Sequence, residues 1–211
     1  MAIWAPALKD TLLALSDEIL GLYGSGRNIV AIDGRSGAGT AAFSDALAET
    51  MRLGTEKRPG GHKVFRASIG NFRKPTGNRE GQGADTAAAF YGDAFDYSVF
   101  RRILVDPFRA SGSTSFVLAA YDEPRGVPIQ PKWMSAGKDA ILIVDGVFLN
   151  RPELAGLWNY SVWLDADPVG EDFATAADAV YVAEAGPRTA AVAIIDNRDP
   201  EHPRRVFADS C

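Results

Sequence analysis

The stretch Asn28–Glu49, NIVAIDGRSGAGTAAFSDALAE, decides how the chain is read. Asn28 to Ile32 is a short apolar run, which predicts a buried strand. Gly34-Arg35-Ser36-Gly37-Ala38-Gly39 is a glycine-rich turn, and Ala41 to Leu53 has helical spacing. Strand, glycine turn and helix in that order build a phosphate-binding loop. Its glycines let successive backbone N–H groups turn inward at a helix N-terminus. The spacing matches the first part of G-x-x-x-x-G-K-[ST]. In that pattern the lysine reaches the β- and γ-phosphates and the hydroxyl holds Mg²⁺. Here Thr40 stands at the lysine position and Ala41 at the hydroxyl position. Taken alone, the stretch fits a phosphate loop stripped of its charge or a ligand-free tight turn.

A second stretch, Ile141–Asp167, ILIVDGVFLNRPELAGLWNYSVWLDAD, bears on that choice. It opens with the most strand-like run of the chain and ends that run in Asp145. A carboxylate at this strand end is where a phosphate loop's partner meets Mg²⁺ through water. A plain turn carboxylate is the competing reading. The two stretches together favour a phosphate-loop fold.

Around them, apolar runs alternate with helical patterns. A helix is expected over Trp4 to Leu22, ended by Gly24-Ser25-Gly26, and a second strand over Val64 to Ile69. Asn71 to Thr86 is polar and glycine-rich and is expected to form a mobile flap, taken to span 71-90. Asp93 to Phe108 reads as a helix stopped near Pro107. Short strands follow at Phe116 to Ala120, Ser161 to Leu164 and Ala191 to Ile195, with a helix over Asp172 to Ala185 and a charged tail from Asp196 to Arg205. Continuous apolar strands alternating with helices predict an α/β fold of three layers, a mainly parallel sheet flanked by helices. In such a sheet, ligands bind at the carboxyl ends of the strands. With no repeat or linker, residues 1-211 are expected to form one domain.

Composition narrows the class. The 211 residues are 46% hydrophobic and 23% charged, with a net charge of -5. No basic run marks a nucleic-acid surface. The one cysteine is Cys211, and the two histidines, His62 and His202, lack ligand spacing, so neither a disulfide framework nor a zinc site is expected. No stretch approaches the ~18 to 20 apolar residues of a membrane span, and no signal-peptide pattern opens the chain. The expectation is a soluble, cytoplasmic protein with a small-molecule ligand, no membrane and no nucleic-acid partner, and an oligomer left open.

The chain resembles the uridine kinase family, in particular its short bacterial members. The matching stretches are VAIDGRSGAGT, VFRASIGNF, YGDAFDYSVFRRILVDPFRASG, ILIVDGVFLNRPELAGLWNYSVWLDAD and AVAIIDNRDPEHPRRV, in family order from Asn28 to Val206. The resemblance implies a P-loop kinase fold with a nucleoside pocket beside an ATP site. It implies a phosphate loop over Gly34, Arg35, Ser36, Gly37, Ala38, Gly39, Thr40 and Ala41. It also implies nucleoside contacts at Tyr91, Phe95 and Asp96, an aromatic contact to the base at Tyr121, and an adenine-side position for His202. For Tyr91, Phe95 and Tyr121, core packing is the competing reading.

The departures from the family are grouped. The family carries a base Asp in a Ser-x-Asp-x-Phe pattern; here Ser68-Ile69-Gly70-Asn71-Phe72 puts Gly70 there. The family's arginine-rich lid corresponds to residues 166-190, which hold no arginine before Arg188. Losing one charged donor of this kind costs on the order of 10²- to 10³-fold in rate. A substitute cation from Arg35, Arg73 or Lys74 is the counter-reading. The carboxylates left for proton transfer are Asp33, Asp93 and Asp145, with Asp145 the metal ligand only if Mg²⁺ binds. The sequence therefore predicts a nucleoside- or nucleotide-like ligand in a kinase cleft, with ATP and Mg²⁺ bound weakly if at all. Phosphoryl transfer is lost or strongly reduced, as in a pseudokinase or a repurposed enzyme. An active nucleoside-type kinase with a rearranged site is the alternative.

Overall fold

The computed structural model describes residues 6–56, 62–74, 86–110, 112, 114–122 and 124–207. The first half of the chain contributes α1 (Leu8–Leu22), β1 (Arg27–Gly34), α2 (Thr40–Glu56) and β2 (Lys63–Ser68), then a 3₁₀ turn over Ile69–Phe72. Next come α3 (Ala87–Asp93), α4 (Tyr97–Phe100), a π turn over Arg101–Val105 and α5 (Asp106–Arg109). Four short strands follow: β3 (Ser115–Val117), β4 (Tyr121–Asp122), β5 (Val127–Pro128) and β6 (Trp133–Ser135). The second half holds β7 (Ala140–Gly146), β8 (Tyr160–Asp165), α6 (Phe173–Ala185), α7 (Pro187–Ala190), β9 (Ala193–Asp196) and β10 (Arg204–Val206).

Six of the strands form one sheet in the order β10-β9-β8-β1-β7-β2. Every neighbouring pair is parallel except β9 with β10, which is antiparallel. The fold is the expected three-layer α/β arrangement. Strand residues alternate between its two faces. Val30 and Ile32 of β1 join Leu12, Ile19, Phe43 and Leu47 in a core under α1 and α2. Ile29 and Ala31 join Phe90, Phe100, Phe148, Trp163 and Tyr181 on the other face. Each fully buried large apolar side chain contributes roughly 1.5–3 kcal/mol, so strands covered on both faces read as unbroken apolar runs. The register pairs Ile32 with Asp145 and Ser68 with Asp145. Parallel alignment thus brings Gly34, Ser68 and Asp145 to one end of the sheet.

Several expectations need correction. The helix expected over Asp93 to Phe108 is broken at its start. Asp96 N–H donates to Phe72 O at 2.8 Å and Lys74 N–H to Ala94 O at 3.0 Å, which makes an isolated antiparallel bridge between Arg73 and Phe95 and interrupts the helix after Asp93. Asp96 then caps α4 by accepting from Val99 N–H at 2.8 Å. The helix ends at Arg109, close to the expected stop near Pro107. In the π turn Asp106 N–H reaches back to Arg101 O, and this altered bonding precedes the residue that has no N–H to give. The strand expected over Phe116 to Ala120 is shorter and pairs with β6 outside the main sheet. The tail expected from Asp196 supplies the antiparallel outer strand β10. Residues 166-190, expected as the lid region, hold α6 and α7. Of the flap, 75–85 lies outside the described residues, as do Trp4 and Cys211, while residues 87–90 belong to α3. No helix among the described residues is long and apolar enough to cross a membrane.

Candidate functional site

The glycine loop leaves the end of β1 and enters α2. Gly37 and Gly39 hold φ of 82° and 80°, the left-handed region that glycine enters without a Cβ penalty. A Cβ on Gly37 would also meet Val169 Cγ2 at 3.1 Å, because the chain after β8 crosses over the loop. Some of the loop's polar groups are engaged within the molecule. Ala38 N–H donates to Arg35 O at 3.0 Å, and Asn197 Nδ2 donates to Ala38 O at 2.9 Å. Ser36 N–H donates to Asp178 Oδ2 at 2.8 Å, and Ser36 Oγ to Asp178 Oδ1 at 3.2 Å. Asp178 comes from α6 and is 3% exposed. Burial raises its pKa, against the lowering effect of the Ser36 bonds and the Arg35 charge.

Asp145, at the end of β7, faces a second internal partner. Arg66 of β2 donates to its Oδ1, and the same guanidinium reaches Asp45 Oδ1 at 2.9 Å, Ala67 O at 2.9 Å and Ala41 O at 3.2 Å. Asp145 is 2% exposed. Burial raises its pKa, and Arg66 holds it back by charge and by hydrogen bond. The next residue, Gly146, has φ 141°, and a Cβ there would lie 2.4 Å from Ile69 Cγ2. Only glycine lets β7 pass this close to the turn after β2.

Mg²⁺ takes an octahedral shell of oxygen ligands. This corner offers one carboxylate already paired with a guanidinium, and Ala41 supplies no hydroxyl. No group of three or more His, Cys, Asp or Glu side chains able to hold a metal occurs among the described residues. The residues present do not fit the metal of the implied reaction.

Asp33 is fully buried beneath the loop. Its carboxylate accepts from Gly34 N–H at 2.9 Å, Asn150 N–H at 3.1 Å, Asn150 Nδ2 at 2.7 Å and the Tyr181 hydroxyl. Burial raises its pKa to about 6, opposed by these hydrogen bonds. Asp33 therefore ties β1 to the segment after β7 and to α6. Phe148, two residues before Asn150, has a left-handed φ of 63°, uncommon outside glycine. Its ring lies among Phe90, Tyr91 and Tyr181, with centroids 5.4, 5.1 and 5.2 Å away.

A cleft of about 390 Å³ opens at the carboxyl ends of the strands. Its lining combines Thr40, Ala41, Gly70 and Asp145 with Arg73, Phe90, Phe95 and Phe173. The Arg73 guanidinium stands over the Phe90 and Phe95 rings, 5.4 and 5.6 Å from their centroids. Phe173, at the start of α6, meets Phe90 edge to face at 5.5 Å. Of the residues expected to contact ligand, Arg73 and Phe95 are brought to this cleft. Tyr91 is buried against Phe148, with the Arg151 guanidinium 4.7 Å from its ring centre. Asp96 is occupied as a helix cap. Tyr121 is buried in the β4–β5 hairpin, and Asp93 pairs with Lys74 on the surface. His202 bonds Asp199 at 3.0 Å near the charged end of β9.

Arg66, Phe173 and Asp178 were not anticipated. For Arg66 the signal is a charge inside the apolar run VFRAS, at the spacing that shares a face with Ser68. For Asp178 it is a lone acid in the alanine-rich AADAV. Neither signal names its partner.

No protein-family model matches the chain, and no curated protein matches it in sequence. Solved structures do match in shape. A "possible uridine kinase" from Bacillus stearothermophilus superposes with a TM-score of 0.73 at 20% identity, covering 90% of this chain and 99% of that one. A "putative fructose transport system kinase" from Silicibacter sp. TM1040 gives a TM-score of 0.58 at 19% identity, covering 85% and 93%. The chain has the fold of these P-loop kinases.

Proposed function

We propose that this chain is a divergent relative of the uridine kinases that binds a nucleoside- or nucleotide-like molecule in the cleft and has lost conventional Mg²⁺-ATP phosphoryl transfer. One observation carries the reading: the Arg66 guanidinium lies between Asp145 and the Ala41 carbonyl. A fixed cation thereby takes the carboxylate that a metal would need. Phosphoryl transfer depends almost wholly on positioning and charge stabilisation. With Thr40, Ala41 and Gly70 also in place of the lysine, hydroxyl and base, little of that machinery remains.

The aromatic side chains support ligand binding. Phe90, Phe95 and Phe173 line a cleft with Arg73 among them. Aromatic surface suits a planar base, whose stacking is worth about 1–3 kcal/mol. A repurposed enzyme that works by free carboxylates is less well supported. Asp33 is buried under four donors, Asp93 pairs with Lys74, and Asp145 pairs with Arg66. An active kinase with a rearranged site is the second reading. It is favoured by Arg73, a cation inside the cleft. Calorimetry with nucleosides and with ATP, each with and without Mg²⁺, separates the readings. Nucleoside binding without Mg²⁺-dependent ATP binding is expected. Tight Mg²⁺-ATP binding with phosphate transfer to a nucleoside sinks the proposal and establishes the second reading.

A further inference from the structure

We propose that Asp178 is the internal occupant of the glycine loop and that it restricts the cleft to ligands without a phosphate chain. The inference rests on the nucleoside-cleft reading above and narrows its ligand class. Three observations converge on it. The Asp178 carboxylate takes both donors of Ser36, the backbone N–H and the hydroxyl. These are donors of the kind a phosphate oxygen accepts from at such a loop. Val169, from the segment between β8 and α6, stands close to Gly37, where an added Cβ would lie 3.1 Å from its Cγ2. α6, which carries Asp178, also lends Phe173 and Ala174 to the cleft, and Ser36 lines that cleft as well. One helix therefore serves both the loop and the ligand chamber.

The chemistry follows from the sign of the charge. An anion entering the loop must displace Asp178 from Ser36 or settle beside a buried carboxylate. Like charges held close are unfavourable, and more so away from bulk water. A neutral ring stacked on the partly exposed Phe173 meets no such opposition. The molecule thus supplies its own counterpart for each ion of a metal–phosphate pair: Arg66 stands beside Asp145, and Asp178 sits on the loop.

The test is titration calorimetry of the full chain with pyrophosphate and, separately, with a panel of unphosphorylated nucleosides. Asp178→Ala is expected to bind pyrophosphate about ten- to hundredfold more tightly than the wild type, the range set by one charge-assisted hydrogen bond. Asp178→Asn removes the charge and keeps an acceptor. It is expected to gain less, and it carries the test if the alanine variant fails to fold. Amide exchange of the ligand-free wild type provides a third measurement, in which the Ser36 N–H is expected to be protected. Equal pyrophosphate affinity in wild type and folded variants, or a Ser36 amide exchanging as an open loop does, overturns the assignment. The nucleoside titrations are read independently. If no nucleoside binds while Asp178→Ala still gains pyrophosphate, the nucleoside reading fails and the loop occupant stands.

Discussion

Two regions of the cleft are built on opposite principles. The loop side is polar, yet its charges are answered from within: Asp145 by Arg66, the Ser36 donors by Asp178, Asp33 by Gly34, Asn150 and Tyr181. The aromatic side, which also carries the Arg73 guanidinium, answers mainly to packing: Phe90 touches Phe95, Phe148 and Phe173 edge to face or tilted. Buried charges satisfied internally have little left for a charged ligand. An aromatic side with a partly exposed ring, Phe173 at 36%, still has surface to give. The difference teaches that the half of the cleft that resembles a catalyst spends its buried charges on internal partners.

The largest way to break this contrast is to strip one partner from a buried pair. Arg66→Ala is expected to cost about 3–5 kcal/mol, because it leaves Asp145 buried and unpaired. Urea unfolding at neutral pH reads it. The double variant with Asp145→Ala should recover much of the loss, and a double as unstable as the sum of the singles would show that the pair is not coupled.

The next effect is a pH slope. An unfolded Asp titrates near 3.9, while Asp33 in the folded chain is raised to about 6. Below about pH 4 both states hold the proton. From about pH 4 to 6 only the folded state does, so stability falls as pH rises, by on the order of 3 kcal/mol in all. Above about 6 this contribution is gone. Asp33→Asn should lack that slope, and denaturant midpoints of both proteins across the window decide it. Parallel curves would mean that Asp33 stays ionised when folded.

On the aromatic side, Phe173→Ala should weaken nucleoside binding by about 1–3 kcal/mol, the worth of one stacked base. Calorimetry checks it, and undiminished affinity would move the ligand off this ring. Smallest of all, Asp96→Ala should lower stability by about 1 kcal/mol through loss of the α4 cap, with nucleoside affinity kept. A fall in affinity instead would return Asp96 to the ligand.

Much of the fold is legible in the chain because it is written in short range. The run from Asn28 through Ile32, the glycines after it and the run from Ala140 to Asp145 each declare their element within a few residues. The strand ends follow from parallel pairing, so the position of the cleft follows too. The site's content is different. Arg66 and Asp145 are 79 residues apart, and Ser36 and Asp178 are 142 apart. Nothing local says which carboxylate a given donor will meet. Asp33 shows the same limit, since its position before the loop suggests a ligand contact and only Asn150 and Tyr181 reveal a structural tie. Likewise, the π turn over Arg101–Val105 has no local signature.

The outermost strand has a consequence of its own. β10 is three residues long, and two of them are arginines anchored sideways, Arg204 to Asp196 and Arg205 to Glu18. A free sheet edge is a template on which a foreign chain can add another strand, and natural edges are blunted by brevity and charge. Any incoming strand would have to strip water from two guanidiniums that already hold their counter-ions. The same arginines that close the sheet thus guard it against growing into an aggregate.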